Sequence, residues 1–182
     1  MERTICFMNG KGSIGHNTRS FIADNVDASR TKNNITLIHE DIKQVYHKLF
    51  DKALDEYNAK QKRKDRQIKS YYEKISRSKQ EKLFYEVIVQ IGNKDDTGVG
   101  SSAAEVATGV LKDYVKMFQL RNPQLYVIGA YIHLDEETPH LHLNFVPWVS
   151  GCKRGLETKT SLKAARKSDI SYLSHSSLPY AL

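Results

Sequence analysis

The sequence predicts an α+β fold: a two-layer sandwich with helices packed on a central, mainly antiparallel sheet. Three observations predict it. Two strongly apolar runs, 125–133 and 139–147, flank a turn too short to hold a crossover helix, which argues against a doubly wound parallel sheet. A third run, 83–91, reads Leu-Phe-Tyr-Glu-Val-Ile-Val-Gln-Ile and stops at Gly92-Asn93. Between these strands, Ala104, Val106, Ala107, Val110, Leu111, Val115 and Phe118 recur at helical spacing after a Ser101-Ser102 cap.

Taken in order, residues 4–8 form a short strand ending at Asn9-Gly10. Gly10, Gly12 and Gly15 make a flexible loop leading into His16-Asn17-Thr18-Arg19. It is no P-loop, because no Gly-Lys-Ser/Thr follows at the right spacing. Residues 20–36 are polar and irregular. A helix is expected over 36–57, from Ile38, Ile42, Val45, Leu49 and Leu54. Residues 60–82 hold ten Lys/Arg against three Asp/Glu, an excess equal to the +7 of the whole chain. With few apolar positions, this stretch (about 58–82) reads as a projecting, mostly solvated helical segment. Asn122-Pro123 ends the 102–121 helix, and a last helix is expected after Ser161. The order is β–α–β–α–β–β.

The 182 residues, 40% hydrophobic, suit one domain over 1–165 with an atypical tail at 166–182. A net charge of +7 favours anionic partners, nucleic acid first. Cys6 and Cys152 form no CxxC pair and no disulfide framework, so a reducing bacterial cytoplasm is the expected compartment. The N-terminus lacks a signal-peptide pattern, and no run reaches the roughly 18 apolar residues of a membrane span.

The chemistry concentrates in His133-Leu-Asp-Glu-Glu-Thr-Pro-His140-Leu-His142. His140 and His142 are two apart on one strand and share a face, and His133 ends the strand before the turn. Three neutral imidazoles converging there offer lone pairs to a divalent cation such as Mn²⁺ or Mg²⁺. Three ligands leave positions open for water and substrate, as in a catalytic site. Asp135 and Glu136 are candidates to orient an imidazole or complete the shell.

The pattern His133-x-Asp-Glu-x-x-Pro-His140-x-His142 resembles the metal motif of the MobV-type relaxases, the Mob/Pre plasmid mobilisation or recombination enzymes, within the wider HUH endonucleases. His16-Asn17-Thr18-Arg19 is similar to that family's first motif, His-Asn-x-Arg. The resemblance covers about residues 1–165. It implies an HUH metal hairpin on the sheet and a relaxase activity. One DNA strand at an origin of transfer is cut by metal-dependent transesterification, leaving a covalent 5′-phosphate link to the protein. It implies His16 as nucleophile and Arg19 as phosphate clamp, with Asp135 and Glu136 assisting. Residues 166–182 depart from the family pattern, so a dimer is expected only of a longer form.

Exposed bases would hold the DNA backbone: Arg19, Lys60, Lys62, Arg63, Lys64, Arg66, Lys69, Lys74, Arg77, Lys79, Lys153 and Arg154. Two alternatives stay open. One is an HUH replication initiator or transposase using a tyrosine nucleophile, for which Tyr71, Tyr72, Tyr126 and Tyr131 are candidates. The other is a non-catalytic, metal-stabilised DNA-binding module.

Overall fold

A computed structural model describes residues 3–166 and divides the chain into two compact units. The first gathers the chain up to Asp41 with Phe84–Arg121 and Val127–Phe145. The second gathers Ile42–Leu83, Asn122–Tyr126 and the chain from Val146. The tail expected to be atypical lies, beyond residue 166, outside the described residues.

The first unit is built on a sheet. Its strands are β1 (Ile5–Asn9), β2 (Ile35–His39), β3 (Tyr85–Ile91) and most of β4 (Leu125–His133) and β5 (His140–Val149), in the order β1-β3-β5-β4-β2. The β1–β3, β3–β5 and β2–β4 pairs are antiparallel, and β4 neighbours β5, to which the short 134–139 turn joins it. Register sorts the side chains. Glu86, Ile88 and Gln90 lie opposite Asn144, His142 and His140, while Val87 and Val89 lie opposite Leu143 and Leu141. Because alternate residues share a face, one face of β3 and β5 carries the polar set and the other the apolar set. The apolar face packs on α5 (Ser102–Arg121), whose Ala104, Ala107, Leu111, Val115 and Phe118 are buried. Phe118 meets Phe145 with ring centroids 5.8 Å apart. Each such large apolar side chain contributes roughly 1.5–3 kcal/mol on burial.

One strand was misread as the start of a helix. Ile38 and Ile42 are four apart and extend the helical pattern backwards, yet Ile35 to His39 pair with β4 as edge strand β2. The β-branched Ile35, Thr36 and Ile38 are stiff and suit that pleated surface. Short α1 (Ile14–Asn17) and α4 (Lys94–Thr97) complete the unit.

The second unit centres on α2 (Ile42–Ala59), which buries Val45, Tyr46, Phe50, Ala53 and Leu54. The basic stretch is not one solvated helix. It forms a single 3-10 turn at Lys64–Arg66 and a six-residue α3 (Tyr71–Ser76), capped by the Ser70 side chain. Tyr71 and Ile75, four apart, are buried, and the Tyr71 ring lies 4.9 Å from that of Phe50. Those two positions give α3 an inward face that the charge run conceals. The end of β5 pairs with β6 (Lys159–Thr160), and the helical turn expected after Ser161 spans 162–166. Lys60, Lys62, Arg63, Lys64, Arg66, Lys69, Lys74, Arg77, Lys79, Lys153 and Arg154 are all exposed. Two already have carboxylate partners: Arg63 pairs with Asp65, and Arg77 with Glu73.

Candidate metal centre

The three hairpin histidines meet on the polar face of the sheet. Their ring centroids are 5.3 Å (His133–His140), 4.6 Å (His133–His142) and 5.1 Å (His140–His142) apart. All three are buried.

Each ring has one nitrogen tied to an acceptor outside the cluster. His133 Nε2 donates to the Asn17 carbonyl at 3.0 Å, and His140 Nδ1 donates to the Thr138 carbonyl at 2.9 Å. His142 Nδ1 donates to Glu86 Oε1 at 2.9 Å. A carbonyl or an ionised carboxylate only accepts, so these contacts fix the tautomer of each neutral imidazole. The second nitrogen of each ring is left with its lone pair. His133 Nδ1 and His142 Nε2 are buried and have no hydrogen-bond partner. His140 Nε2 and His133 Nδ1 stand 3.6 and 3.9 Å from Glu136 Oε1. Orphaned buried acceptors are costly in an apolar interior, but such lone pairs suit a divalent cation, and the outward hydrogen bonds are those that orient ligand imidazoles. The donor set therefore fits a metal ion.

His16 joins this cluster. It sits in α1, where the Ser13 side chain caps its backbone N–H. Its ring lies 5.6 Å from that of His133 and 5.3 Å from that of His142. The next residue holds it there. Asn17 is buried, and its side-chain amide donates to Glu86 Oε1 at 2.6 Å and to Asn144 Oδ1 at 2.9 Å. A pocket of about 710 Å³ opens beside the cluster, with Met8, His16, Ile88, Glu136, His140 and His142 in its wall.

The structure brings two of the expected site residues, Arg19 and Asp135, against each other. Arg19 was expected to clamp a phosphate, and Asp135 to serve at the metal. The Arg19 fork is instead spent on carboxylates. Nε and Nη2 reach Asp135 at 2.9 and 2.6 Å, Nη2 also reaches Glu136 Oε1 at 2.7 Å, and the side chain is only 4% exposed. Asp135 is fully buried and also accepts from Thr31 and Asn34. The pair is a positioning device. It draws in residue 19, a non-glycine residue with φ of 56°, and sets Glu136 facing the histidines. That backbone conformation costs on the order of 1 kcal/mol, offset by the bidentate contact.

Glu86, Asn17 and Asn144 were not among the site residues expected from the sequence. Glu86 had a visible signal, a charged residue at the centre of an apolar strand. It is buried and accepts from His142, from Asn17 and from the Gly12 backbone N–H at 2.8 Å. A Cβ on Gly10 would fall 2.0 Å from Glu86 Oε2, which explains a glycine there.

The protonation states follow from this packing. Burial lowers His133 to about 3, the largest cause, with His142, Arg19 and His140 adding repulsion. Burial also lowers His140, and burial and Arg19 lower His16. Burial would raise Glu86, but hydrogen bonds from His142, Gly12 and Asn17 outweigh it and hold the carboxyl at about 2. Asp135 is likewise held below the usual carboxylate range, burial being outweighed by Arg19, Asn34 and Thr31. The folded histidine sheds its proton more readily than the unfolded one. Stability is therefore complete above pH 6.5 and falls as pH drops from 6.5 towards 3, with Glu86 adding loss between 4.5 and 2. Urea unfolding of metal-free protein between pH 6.5 and 4.5 should show a falling midpoint. A flat profile would contradict neutral, buried imidazoles.

Comparison with known proteins places the fold and the family. No curated protein sequence matches the chain. Crystal structures of the MobM relaxase domain, of MOBV type, are similar in fold. One, Mn-bound with oriT DNA at pH 5.5, shares 24% identity over 90% of this chain and 76% of that chain, with a TM-score of 0.50. Another, whose oriT DNA carries a 3′ thiophosphate, shares 23% identity over 95% and 81%, with a TM-score of 0.51. The model of the Mob/Pre family, described as plasmid recombination enzyme, matches residues 11–170, and on that extent the chain belongs to this family.

Proposed function

We propose that the protein is a DNA relaxase that cuts one strand at a plasmid origin of transfer by transesterification and stays joined to the 5′ phosphate. The observation that carries this reading is the convergence of three imidazole lone pairs with a fourth, His16, at the wall of an open pocket. The similar MobM structures hold oriT DNA and Mn, which supports the same substrate class and a divalent ion, Mn²⁺ or Mg²⁺, here.

His133, His140 and His142 would hold the ion, with Glu136 beside them. When bound, the ion supplies Lewis-acid polarisation of the scissile phosphate. A neutral His16 presents a lone pair to phosphorus. The N–P bond forms, the P–O3′ bond breaks, and O3′ leaves as the 3′ hydroxyl with the imidazole proton. Burial and Arg19 keep that imidazole neutral and hence nucleophilic. The exposed bases of 60–79 and Lys153-Arg154 supply backbone contacts, and a cytoplasmic setting follows from a plasmid substrate. Among the described residues, no helix is long and apolar enough to cross a membrane.

A tyrosine nucleophile finds little support. Among the described residues, no tyrosine lines the pocket. Tyr131 is buried and bonded to His39, Tyr126 meets Lys48, and burial pushes the Tyr71 phenol up to about 12. Incubating a labelled origin oligonucleotide with protein and Mn²⁺ should give a covalent adduct, and His16→Ala should reduce it by at least about 10³-fold. An adduct that survives in His16→Ala removes His16 as nucleophile. Tight DNA binding without cleavage by the wild type favours a non-catalytic module.

A further inference from the structure

We infer that His16 closes the coordination set of the ion while no DNA is bound, so that the nucleophile is masked until a phosphate oxygen takes its place. The inference rests on the metal-dependent relaxase reading above and adds a resting state to it.

The ligand atoms of the cluster fall into two overlapping sets. One atom each from His16, His133 and His142 lies within 4.8 Å of the others, and the same holds for His133, Glu136 and His140. His133 belongs to both. His140 and His142 fall in different sets, and each set is completed by a different group, His16 beside His142 and Glu136 beside His140.

Glu136 is already engaged at both oxygens. Oε1 accepts from Arg19 at 2.7 Å and Oε2 from Asn25 at 2.9 Å. The His16 ring carries no comparable tie. Arg19 Nη1 is shared between its two nitrogens at 3.2 and 3.4 Å, and Glu136 Oε1 stands 4.0 Å away. The His16 backbone, by contrast, is fixed through the Ser13 cap and Asn17. The ring can therefore enter or leave the coordination set by side-chain rotation while α1 stays in place. Imidazole suits a borderline divalent ion, and a phosphate oxygen suits a harder one. Displacement by phosphate leaves the freed imidazole next to the phosphorus it attacks. Coordination by His16 and binding of a scissile phosphate then compete, and each weakens the other by the same factor.

The test is a Co²⁺ absorption titration of the full chain. In wild type without DNA, Co²⁺ should bind at least about tenfold more tightly than in His16→Ala, with a different ligand-field spectrum. Added imidazole should return the variant to the wild-type spectrum. With a 3′-phosphorylated single strand from the plasmid's origin present, the two proteins should agree within about twofold. Equal DNA-free affinities and spectra would overturn the inference, as would lost affinity that imidazole cannot rescue, which marks a disturbed loop. A wild type that takes up no Co²⁺, or a His142→Ala variant that binds it equally well, sinks the metal-site reading itself.

Discussion

Glu86→Gln should lower divalent-metal affinity by about 10–100-fold while leaving a folded protein. The carboxylate can only accept, so it holds the proton of His142 on Nδ1 at 2.9 Å and leaves Nε2 free to ligate. A glutamine that keeps its oxygen on the Gly12 N–H turns its NH₂ group towards His142 and the Asn17 amide, which share the other carboxylate oxygen in the native residue. Nδ1 would then accept, the proton would move to Nε2, and the lone pair facing the cluster would be lost. Calorimetric titration with Mn²⁺ measures the affinity, and ring ¹⁵N shifts report the tautomer. Unchanged affinity with the wild-type tautomer would show that Glu86 is only a packing residue.

Asp135→Ala should destabilise the protein by about 3–5 kcal/mol, the largest loss expected of any polar substitution in this unit. It leaves a buried guanidinium undercompensated, because Arg19 loses both Asp135 contacts and keeps Glu136 as its one carboxylate partner. Thr31 and Asn34 lose an acceptor in the same step. The solvent-exposed Asp27 is the control: Asp27→Ala removes only surface contacts, to Arg30 and Ser29, and should cost far less. Urea unfolding of both variants, metal-free, makes the comparison. Equal effects would mean that the Arg19 network carries no net stability.

These two residues also mark the limit of what the sequence made legible. The His140–His142 face and the short turn from His133 are local, set by alternation and a six-residue connection, and they could be read directly. So could the antiparallel sheet and α5, whose apolar period is strong. Arg19 and Asp135 are 116 positions apart, and no local pattern reveals that a fork expected to meet phosphate meets a carboxylate instead. Glu86 was legible as an anomaly, but its partner Asn17 lies 69 positions away. The basic stretch misled because charge masked the Tyr71–Ile75 pair. At β2, the spacing of Ile38 and Ile42 satisfied a helix while the β-branched residues served a sheet edge.

The anchoring of α1 has a further consequence for how the molecule is made. The histidines of the hairpin lie within ten residues of one another, so little loop-closure entropy opposes their meeting. His16 is synthesised early, yet the long-range groups that position it through Asn17 arrive late. Asn17 waits for Glu86 and then for Asn144, 127 positions downstream. At ribosomal speeds that interval is on the order of ten seconds. Glu86 gives the Gly-rich loop its first long-range partner, and His16 takes its place only after the hairpin has formed. His16 is thus made early and set in place late.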